Sequence, residues 1–587
     1  METLNPERLQ RMRSVVERAD RNIQPFRDQK YNALREYFGS QYGNRGSQYL
    51  TPVNLMHFAT EVFTTSLAAG TPQALVTATS KQMQTPGYDL EIALNTLTRR
   101  IKLGEVVNEA TFDAIYGVGI VRTGRTRNES YGMAGFSKTK GRPYAAIVSF
   151  DDFVFDVQAT SWRDVSFLGN RYRVPLEDAK SNPAFKPAAR AKLEATRKQH
   201  RQPTGEAKAS DMSRVDEYDI DEIEDHVDLL DIYLCREKRM ITIPAEGDPL
   251  LLRDVAYKGP NNGPYHVLLL DRPSEQLIPA AKAWQWMDLH ALVNDLYRKA
   301  AEQAINAKTV HYGPASSSKD AQTITTSRDG DFIRLDSPQG LGTFSIPGAD
   351  QATLLMAMQA KSLFNTLFGN PEVLAGVGAQ SDTFGQDQLI ASAANRMVSG
   401  MEDRVIECAQ AILESLAYYI LTDSDINLKL EKQIPGTGMS VSFDYTKERA
   451  YGDLADYQIT VEPYSLQRLT PQARLRAMND VVMNVILPGA GMLESGGGSF
   501  DFEKYLKRYG RYAGISADLD DLVNFTQIEP PSRMGGGGER AGMPATTTRR
   551  EIRQGARGPG ASSDEAVQQA LLTGMSNGGR GGVRQAG

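Results

Sequence analysis

The sequence AAKAWQWMDLHALVNDLYRKAAEQAINA, residues 280–307, predicts one long amphipathic helix. Its apolar residues recur every three or four positions and form a stripe along one face. They are Trp286, Leu289, Val293, Leu296, Ala300, Ala304 and Ala307. Twenty-eight helical residues would extend about 42 Å, and only six of them carry a formal charge. So long and sparsely charged a helix needs neighbours on more than one side.

The chain that follows predicts a small β insert and then a second helix. Four short β-prone runs are separated by Gly, Pro and Ser, at residues 309–312, 323–326, 332–335 and 343–346. The second helix is predicted over residues 349–368, with apolar positions at Leu354, Leu355, Met358, Leu363 and Leu367. Two helices that leave and re-enter a body, with a β cap at their far end, would form a projecting arm.

A glycine-rich loop and a third, longer helix follow this predicted arm. Residues 369–385, GNPEVLAGVGAQSDTFG, contain four glycines and a proline, a composition that ends both helices and strands. Residues 386–421 then carry apolar positions at helical spacing over about ten turns. Ser399 and Gly400 at mid-length predict a kink in this helix.

The segments on either side of this central region predict an α+β fold. Helices are expected at residues 6–26, 52–69 and 88–116. The region 119–271 carries eight strand-like runs, interrupted by a basic helical insert at 187–201. Beyond the long helix, strands are expected at residues 427–430, 440–445 and 457–461, where they rejoin the earlier sheets.

Length, charge and cysteine content limit the function classes. A chain of 587 residues with 41% apolar content can bury a large core and form several structural units. It has no uncharged apolar run of about 18 residues, so we expect no membrane partner. The two cysteines have no disulfide or metal-ligand spacing. The formal charge of −6 disfavours tight static binding to DNA phosphates.

One acidic run needs a separate interpretation. Residues 216–228, DEYDIDEIEDHVD, contain eight carboxylates and no Lys or Arg. Clustered carboxylates can hold Mg²⁺ or Ca²⁺, and two-metal nucleases use such groups. The run lacks the glycine and closing Glu of a calcium loop and leads directly into a predicted strand. We interpret it as a solvated or subunit-contacting face; loose cation binding and metal-dependent nucleic-acid chemistry are the alternatives.

These features together resemble the portal protein, the head-to-tail connector of tailed bacteriophages. The similarity is carried by YGVGIVRTG (residues 116–124), FDDFVFDVQATSWRDVSFLGNRYRV (150–174) and GAQSDTFGQDQLIASAANRM (378–397), together with the helix, insert, helix series. It extends from about residue 50 to 515. Each motif alone is loose, and the order and spacing of the motifs make the resemblance specific.

The resemblance implies a portal-like α+β fold that assembles as a ring. Its parts would be an N-terminal wing (residues 1–272), a first stem helix (273–307), a small α/β or β clip (308–346), a second stem helix (347–368), a tunnel loop (369–385), a long kinked helix with C-terminal wing strands (386–465), a helical crown (466–529) and a Gly/Arg-rich disordered tail (530–587).

The resemblance also implies roles for particular residues. The cations expected near the channel are Lys282, Arg298 and Lys299. The tunnel loop would include Val377, Gln380, Ser381, Asp382 and Thr383. The clip would include Lys308, His311, Arg328, Phe332 and Arg334. No catalytic, cofactor-binding or metal-binding residue is expected.

The implied function is a dodecameric ring at one capsid vertex, through which double-stranded DNA is packaged and later ejected. The expected partners are further copies of the chain, the DNA, the terminase large subunit, the major capsid and scaffolding proteins, and tail adaptor proteins. The expected location is the virion, and the host cytoplasm during assembly. The sequence has no P-loop, no H-E-x-x-H and no C-x-x-C, which disfavours an enzyme and excludes the ATP-driven motor itself. The alternatives are a metal-dependent nucleic-acid enzyme that uses residues 216–228 and an internal or tail adaptor virion protein.

Overall fold

The computed structural model describes residues 5–39, 53–125, 143–196, 225–272, 276–312, 342–375, 384–423, 427–433, 440–462 and 465–466, with isolated positions at 319, 322, 323, 326, 479, 482 and 483. The chain divides into two compact units, Met1–Thr470 and Pro471–Gly587. In the second unit only positions 479, 482 and 483 are described. The rest of the predicted crown in that unit, and the predicted tail at 530–587, therefore lie outside the described residues.

The described helices fall into three groups along the chain. The first group consists of α1 (Pro6–Phe38), α2 (Leu55–Ala68), α3 (Gln84–Arg100) and α4 (Leu103–Tyr116). Two short helices follow, α5 (Leu176–Ser181) and α6 (Pro187–Arg190). The third group consists of α7 (Lys282–Asn306), α8 (Gln351–Leu367), α9 (Pro371–Leu374) and α10 (Phe384–Thr422).

The described strands form several antiparallel sheets. They are β1 (Ala74–Ala78), β2 (Gly119–Arg125), β3 (Pro143–Ile147), β4 (Phe153–Phe155), β5 (Phe167–Pro175), β6 (His226–Leu234), β7 (Arg239–Pro244), β8 (Arg253–Ala256), β9 (Tyr265–Leu268), β10 (Lys308–Tyr312), β11 (Gly342–Ile346), β12 (Asn427–Gln433), β13 (Ser440–Thr446) and β14 (Tyr457–Val461). The two largest sheets have the orders β4-β5-β6-β7-β8 and β3-β2-β9. The fold is mixed α+β, as the sequence predicts.

A buried charge network joins the two largest sheets. Arg122 on β2 donates to Asp231 Oδ2 on β6 and to Asn170 Oδ1 on β5, each at 2.8 Å. Arg253 on β8 contacts the same carboxylate at 3.3 Å, and Asp231 is fully buried. Burial alone would raise the pKa of Asp231, but the charges of Arg253 and Arg122 lower it below its ordinary value. The carboxylate is therefore held ionised between the two arginines. If one sheet shifted relative to the other, a buried charge would lose its partner.

The long helix α10 forms the centre of the largest core. Its bounds match the predicted 386–421 within two residues, and α-helix continues through positions 399 and 400, so the predicted kink does not interrupt it. Its inner face, including Ile412, Leu416 and Ile420, is fully buried. Residues Arg396–Thr422 are long and apolar enough to span a membrane by length and composition, but 61% of the most apolar window is buried inside the fold. That burial is typical of a core helix.

Two helix predictions need correction. The predicted helix over 88–116 is two helices, because the chain breaks at Ile101 and Lys102, where Lys102 has a left-handed φ of 55°. The break lets α3 pack on β1 while α4 packs on β2. The first helix, predicted to end near residue 26, continues to Phe38. Pro25 lies on its exposed side, while Arg27 and Lys30 are buried and form ion pairs with Asp20 and Asp113.

The predicted C-terminal strands exist, but they do not rejoin the two largest sheets. β12 and β13 pair only with each other within the described strands, and β14 pairs with β1 in a separate ribbon. β1 was not expected from the sequence, because its five residues show no clear alternation and its partner lies nearly four hundred residues away. This ribbon covers the core beside α3 and α10.

The prediction of a β insert is confirmed at the two ends of the insert and is wrong for one inner run. β10 pairs with β11 in register, from Lys308 opposite Ile346 to Tyr312 opposite Gly342. Positions 323 and 326, which belong to the run predicted as strand, are helical, as is position 322. The hydroxyl of Thr326 donates to the Gln322 carbonyl at 2.8 Å, the i−4 bond that a threonine hydroxyl can make within a helix. The predicted run at 332–335 lies outside the described residues.

Candidate assembly surface

The predicted arm is present as an antiparallel pair of helices joined at one end by the β10–β11 ribbon. α7 leads directly into β10, and α8 follows β11 after a short turn. The turn ends at Asp350, whose carboxylate accepts hydrogen bonds from the Ala352 N–H at 3.3 Å and the Thr353 hydroxyl at 3.1 Å. These bonds lower the pKa of Asp350 and cap the start of α8. We refer to α7, β10, β11 and α8 together as the arm.

The base of the arm is fixed by an aromatic cluster. Trp286 of α7 is almost fully buried and stacks on Phe63 of α2, with ring centroids 5.6 Å apart. Phe364 and Phe368, at the C-terminal end of α8, contact the same indole edge-on at 6.4 and 6.2 Å. Three elements therefore share one packed contact, and each aromatic pair adds about 0.5–1.5 kcal/mol beyond its buried area.

Polar contacts also fix the two helices to the body. Asn294 of α7 accepts from the Val53 N–H at 2.8 Å and donates to the Val53 carbonyl at 3.3 Å. Lys361 of α8 pairs with Glu372 of α9 at 2.8 Å. The base is thus held by both packing and directed bonds.

Burial decreases from the base of the arm towards its tip. In the predicted stripe of α7, Trp286, Val293 and Ala300 are buried, but Ala304 and Ala307 are exposed. Ile305 is also exposed. An open cleft of about 720 Å³ lies here between the last turns of α7 and the segment 346–351. The outer half of the arm therefore leaves apolar surface uncovered within the described chain.

The inner face of α8 is made largely of small residues. Thr353, Ala357, Ala360 and Phe364 are buried, at the spacing of one helical stripe. Small side chains let α8 approach α7 closely. The larger apolar residues predicted for this helix are on its other sides, and all five of them are exposed.

The exposed apolar residues of α8 lie on both sides of its buried stripe. Their exposed fractions are Leu354 37%, Leu355 52%, Met356 52%, Met358 62%, Leu363 47% and Leu367 53%. At about 100° per residue, Met356, Leu363 and Leu367 lie about 70° from the centre of the stripe in one direction. We call these three residues the Leu363 flank.

The second set lies on the opposite side of the stripe. Leu354 and Met358 are about 90° and 130° from its centre in the other direction, and we call this pair the Leu354 flank. Leu355 lies on the outer crest between the two flanks. α8 therefore exposes large apolar residues on both sides of its buried stripe, and an exposed apolar surface of this kind is typical of a protein–protein contact.

The three cations expected near a channel lie at different places on α7. Lys282 pairs with Asp271 at 2.8 Å near the base, and Arg298 pairs with Asp295 one turn away. Lys299 is exposed, and its helix position is roughly opposite the packed face of α7. The structure does not bring the three side chains together. Lys299 lines the cleft beside residues 346–351, where its charge helps to lower the pKa of Asp350.

Most of the other predicted site residues lie outside the described part of the chain. This applies to all five expected tunnel-loop residues, Val377, Gln380, Ser381, Asp382 and Thr383, and to three clip residues, Arg328, Phe332 and Arg334. Lys308 and His311 are both in β10, where His311 is opposite Thr343. Lys308 is exposed.

The acidic run at 216–228 is described only from Asp225 onwards. Asp228 belongs to β6 and lies 3.9 Å from Arg173 Nε on the neighbouring strand. In the part of the chain that the structure describes, no three His, Cys, Asp or Glu side chains are grouped as metal ligands. The described end of the run is thus part of a sheet with an ion pair, and the remaining positions stay a sequence prediction.

The sequence reasoning did not distinguish the two exposed flanks of α8 from each other. The apolar positions were recognised, but Met356 was omitted and the side on which each residue lies was not assigned. The available signal is the run Thr353, Ala357, Ala360 and Phe364, a stripe of mostly small residues flanked by larger ones. Such a stripe predicts close contact with one helix and leaves the larger residues for other neighbours.

Comparison of the chain with protein-family models and with curated proteins finds no match.

Proposed function

We propose that the chain is a portal protein, which closes into a ring around a channel for double-stranded DNA. The proposal is supported by the mixed α+β fold, by the arm made of two helices and a β ribbon, and by the long core helix that follows it. In this proposal the arm is the stem of the ring, and its tip is the docking site for the packaging motor and later for the tail adaptor.

The observation that carries the proposal is the presence of two apolar flanks on one helix. A two-fold dimer needs one self-complementary patch on each copy, whereas a head-to-tail contact uses two different surfaces of each copy. The Leu354 flank and the Leu363 flank are different surfaces on opposite sides of α8. Repeating a head-to-tail contact gives a filament or a closed ring. A ring gives every copy two neighbours and covers both flanks in all of them.

The flanks supply part of the free energy that holds neighbours together, and other surface of each copy must supply the rest. Burying a large apolar side chain completely stabilises by about 1.5–3 kcal/mol, so covering the half-exposed part of each contributes roughly 1 kcal/mol. The three residues of the Leu363 flank would contribute about 3 kcal/mol to one contact before any other surface is counted. Each copy makes two such contacts in a ring, and releasing a copy from a closed ring requires the loss of both.

The charge distribution on the arm fits a channel that DNA passes through. Two of the three arm cations, Lys282 and Arg298, are paired with carboxylates. A wall with many free cations would hold phosphates tightly and slow their movement, because each neutralised phosphate adds salt-dependent affinity. A mostly neutralised wall with an occasional exposed lysine, such as Lys299, leaves DNA free to slide.

The proposal can be tested by cross-linking from the arm to packaged DNA. The variant Lys299→Cys would carry a thiol-linked photo-cross-linker on the outer face of α7, and virus particles assembled with it would be irradiated after filling. We expect covalent capture of DNA. The matched control is Lys186→Cys, which is equally exposed but lies on the α5–α6 segment far from the arm in sequence.

The wild-type chain gives the background for this experiment. Cys408 is buried and burial raises the pKa of its thiol to about 12, and burial likewise raises that of Cys235 to about 11, so both native thiols react slowly. Two results would contradict the proposal that DNA passes along the arm. One is the absence of DNA capture in Lys299→Cys particles, and the other is equal capture by the two variants.

A further inference from the structure

We propose that Met356 and Met358 form an oxidation-sensitive assembly site: a peroxide converts their thioethers to sulfoxides in the free subunit and blocks ring closure, whereas assembly protects them. The inference rests on the proposed function, because it assigns a chemical control to the same two flanks of α8. Each flank contains one of the two methionines.

The two thioethers are among the most accessible in the described chain. Met358 is 62% exposed and Met356 is 52% exposed, compared with 0% for Met56 and 7% for Met401. Methionine oxidation follows the access of the oxidant to sulfur. Among the methionines of the described chain, those of α8 and Met483, which is 64% exposed, should therefore be oxidised first. The core methionines should stay reduced while the fold is intact.

One of the exposed methionines outside α8 provides an internal comparison. Met397 is 46% exposed on α10 and lies outside α8. Its sulfur is 3.7 Å from the position that a Cβ on Gly369 would occupy, next to the end of α8. Met397 should be oxidised at a rate close to that of Met356, although it belongs to neither flank.

The chemical step is a two-electron oxygen transfer. A lone pair on the methionine sulfur attacks one oxygen of hydrogen peroxide, the O–O bond breaks, and an S=O bond forms as one molecule of water leaves. The sulfur is oxidised and the peroxide is reduced, with no other reactant. The product is a polar group in place of an apolar one, and it disrupts methionine-containing interfaces.

Because there is one methionine on each flank, oxidation affects both contacts of a copy. A single oxidised subunit can then neither extend a growing ring nor close it. In a completed ring the same sulfurs are covered by neighbours, so the oxidant cannot reach them. Enzymatic reduction of the sulfoxide needs the same access, and it should restore only subunits that remain free.

The test treats free wild-type subunits with hydrogen peroxide under conditions that leave the core methionines reduced. Peptide mass spectrometry measures oxidation at each methionine, and sedimentation velocity measures assembly. We expect assembly to weaken at least about tenfold in parallel with oxidation at positions 356 and 358. The variant Met356→Leu/Met358→Leu keeps an apolar side chain of nearly the same volume at both positions and has no sulfur there to oxidise. Its assembly is compared with that of the same variant before treatment, and peroxide should not change it.

The matched control is Met397→Leu, which removes the exposed thioether outside the flanks and should remain as sensitive as the wild type. Pre-formed rings should show slower oxidation at positions 356 and 358 than free subunits do. Two results would overturn the inference: loss of assembly in the doubly substituted variant after treatment, or unchanged assembly of wild type with both methionines oxidised. In either case, rings in the untreated sample would still support the proposed function, and their absence would count against the function itself.

Discussion

A charge placed on one flank of α8 should break the head-to-tail contact without unfolding the subunit. Leu363 is 47% exposed, so Leu363→Glu removes roughly 1 kcal/mol of apolar burial from the contact. Desolvating the new carboxylate adds about 2 kcal/mol. Together these weaken each contact by about 3 kcal/mol, or roughly a hundredfold. The fold should change by less than about 1 kcal/mol, because Leu and Glu have similar helix propensities.

The informative assay combines this variant with Leu354→Glu, which breaks the opposite flank. Each variant alone should sediment as a monomer. In an equimolar mixture, the intact Leu354 flank of one variant can pair with the intact Leu363 flank of the other, but neither complex can be extended. We therefore expect a heterodimer and no larger species by sedimentation velocity.

Gln10→Glu is the matched control, since it adds the same charge to an exposed helical position of α1, outside the arm. It should assemble like the wild type, and all three variants should share its far-UV circular dichroism and melting temperature. Full assembly of either single-flank variant would refute the role of that flank. Homodimers formed by one variant alone would show that the contact is two-fold rather than head-to-tail.

Three further predictions concern the body of the fold. Gly119→Ala should destabilise by about 3 kcal/mol in a urea titration, because the new Cβ would lie 2.1 Å from the Ala110 carbonyl oxygen and neither backbone can move away; a change under about 1 kcal/mol would contradict this. Burial lowers the pKa of His266 from 6.5 to about 4. Between these pH values the unfolded chain binds a proton that the folded chain does not bind. The free energy of unfolding should therefore fall by about 3 kcal/mol as pH decreases from 6.5 to 4. His266→Asn should remove that slope, and an unchanged slope would assign it to other groups. Asp231→Asn should destabilise by about 3–5 kcal/mol, since it leaves two buried arginines without their counter-charge, whereas an unchanged melting temperature would show that water reaches them.

The arm could be located from sequence because its helices are long and periodic. The spacing of Trp286, Val293 and Ala300 identifies a buried face directly, and the structure confirms that face in the base half of α7. The uncovered tip could not be foreseen, because Ala304 continues the same stripe although nothing in the described chain covers it. Periodicity shows which residues share a face and does not show whether that face has a neighbour.

The sides of α8 were harder to assign for a different reason. Large apolar residues are expected in the core, whereas small residues have little preference between core and surface. In α8, however, Ala357 and Ala360 are buried while Leu355 and Leu367 are exposed. That arrangement is unfavourable for one isolated chain and becomes favourable once neighbours cover the larger residues. A prediction made for a single chain cannot contain this reversal.

Long-range pairing and local breaks account for the remaining differences. β1 could not be predicted because its stability comes from β14 at the other end of the unit. The break at Lys102 was not predicted, because a lysine does not indicate the left-handed backbone conformation that Lys102 adopts. The ion pairs of Arg122 and Asp231 depend on two sheets meeting, a contact that neither strand shows in its own pattern.

The most direct measurement is negative-stain class averaging of the purified chain, combined with its mass in solution. We expect end-on views of closed rings with a central hole, and a mass that is a whole multiple of 64.6 kDa. The multiple would be the number of subunits. A monodisperse monomer, or a dimer that persists across protein and salt concentrations, would contradict ring closure through the flanks of α8.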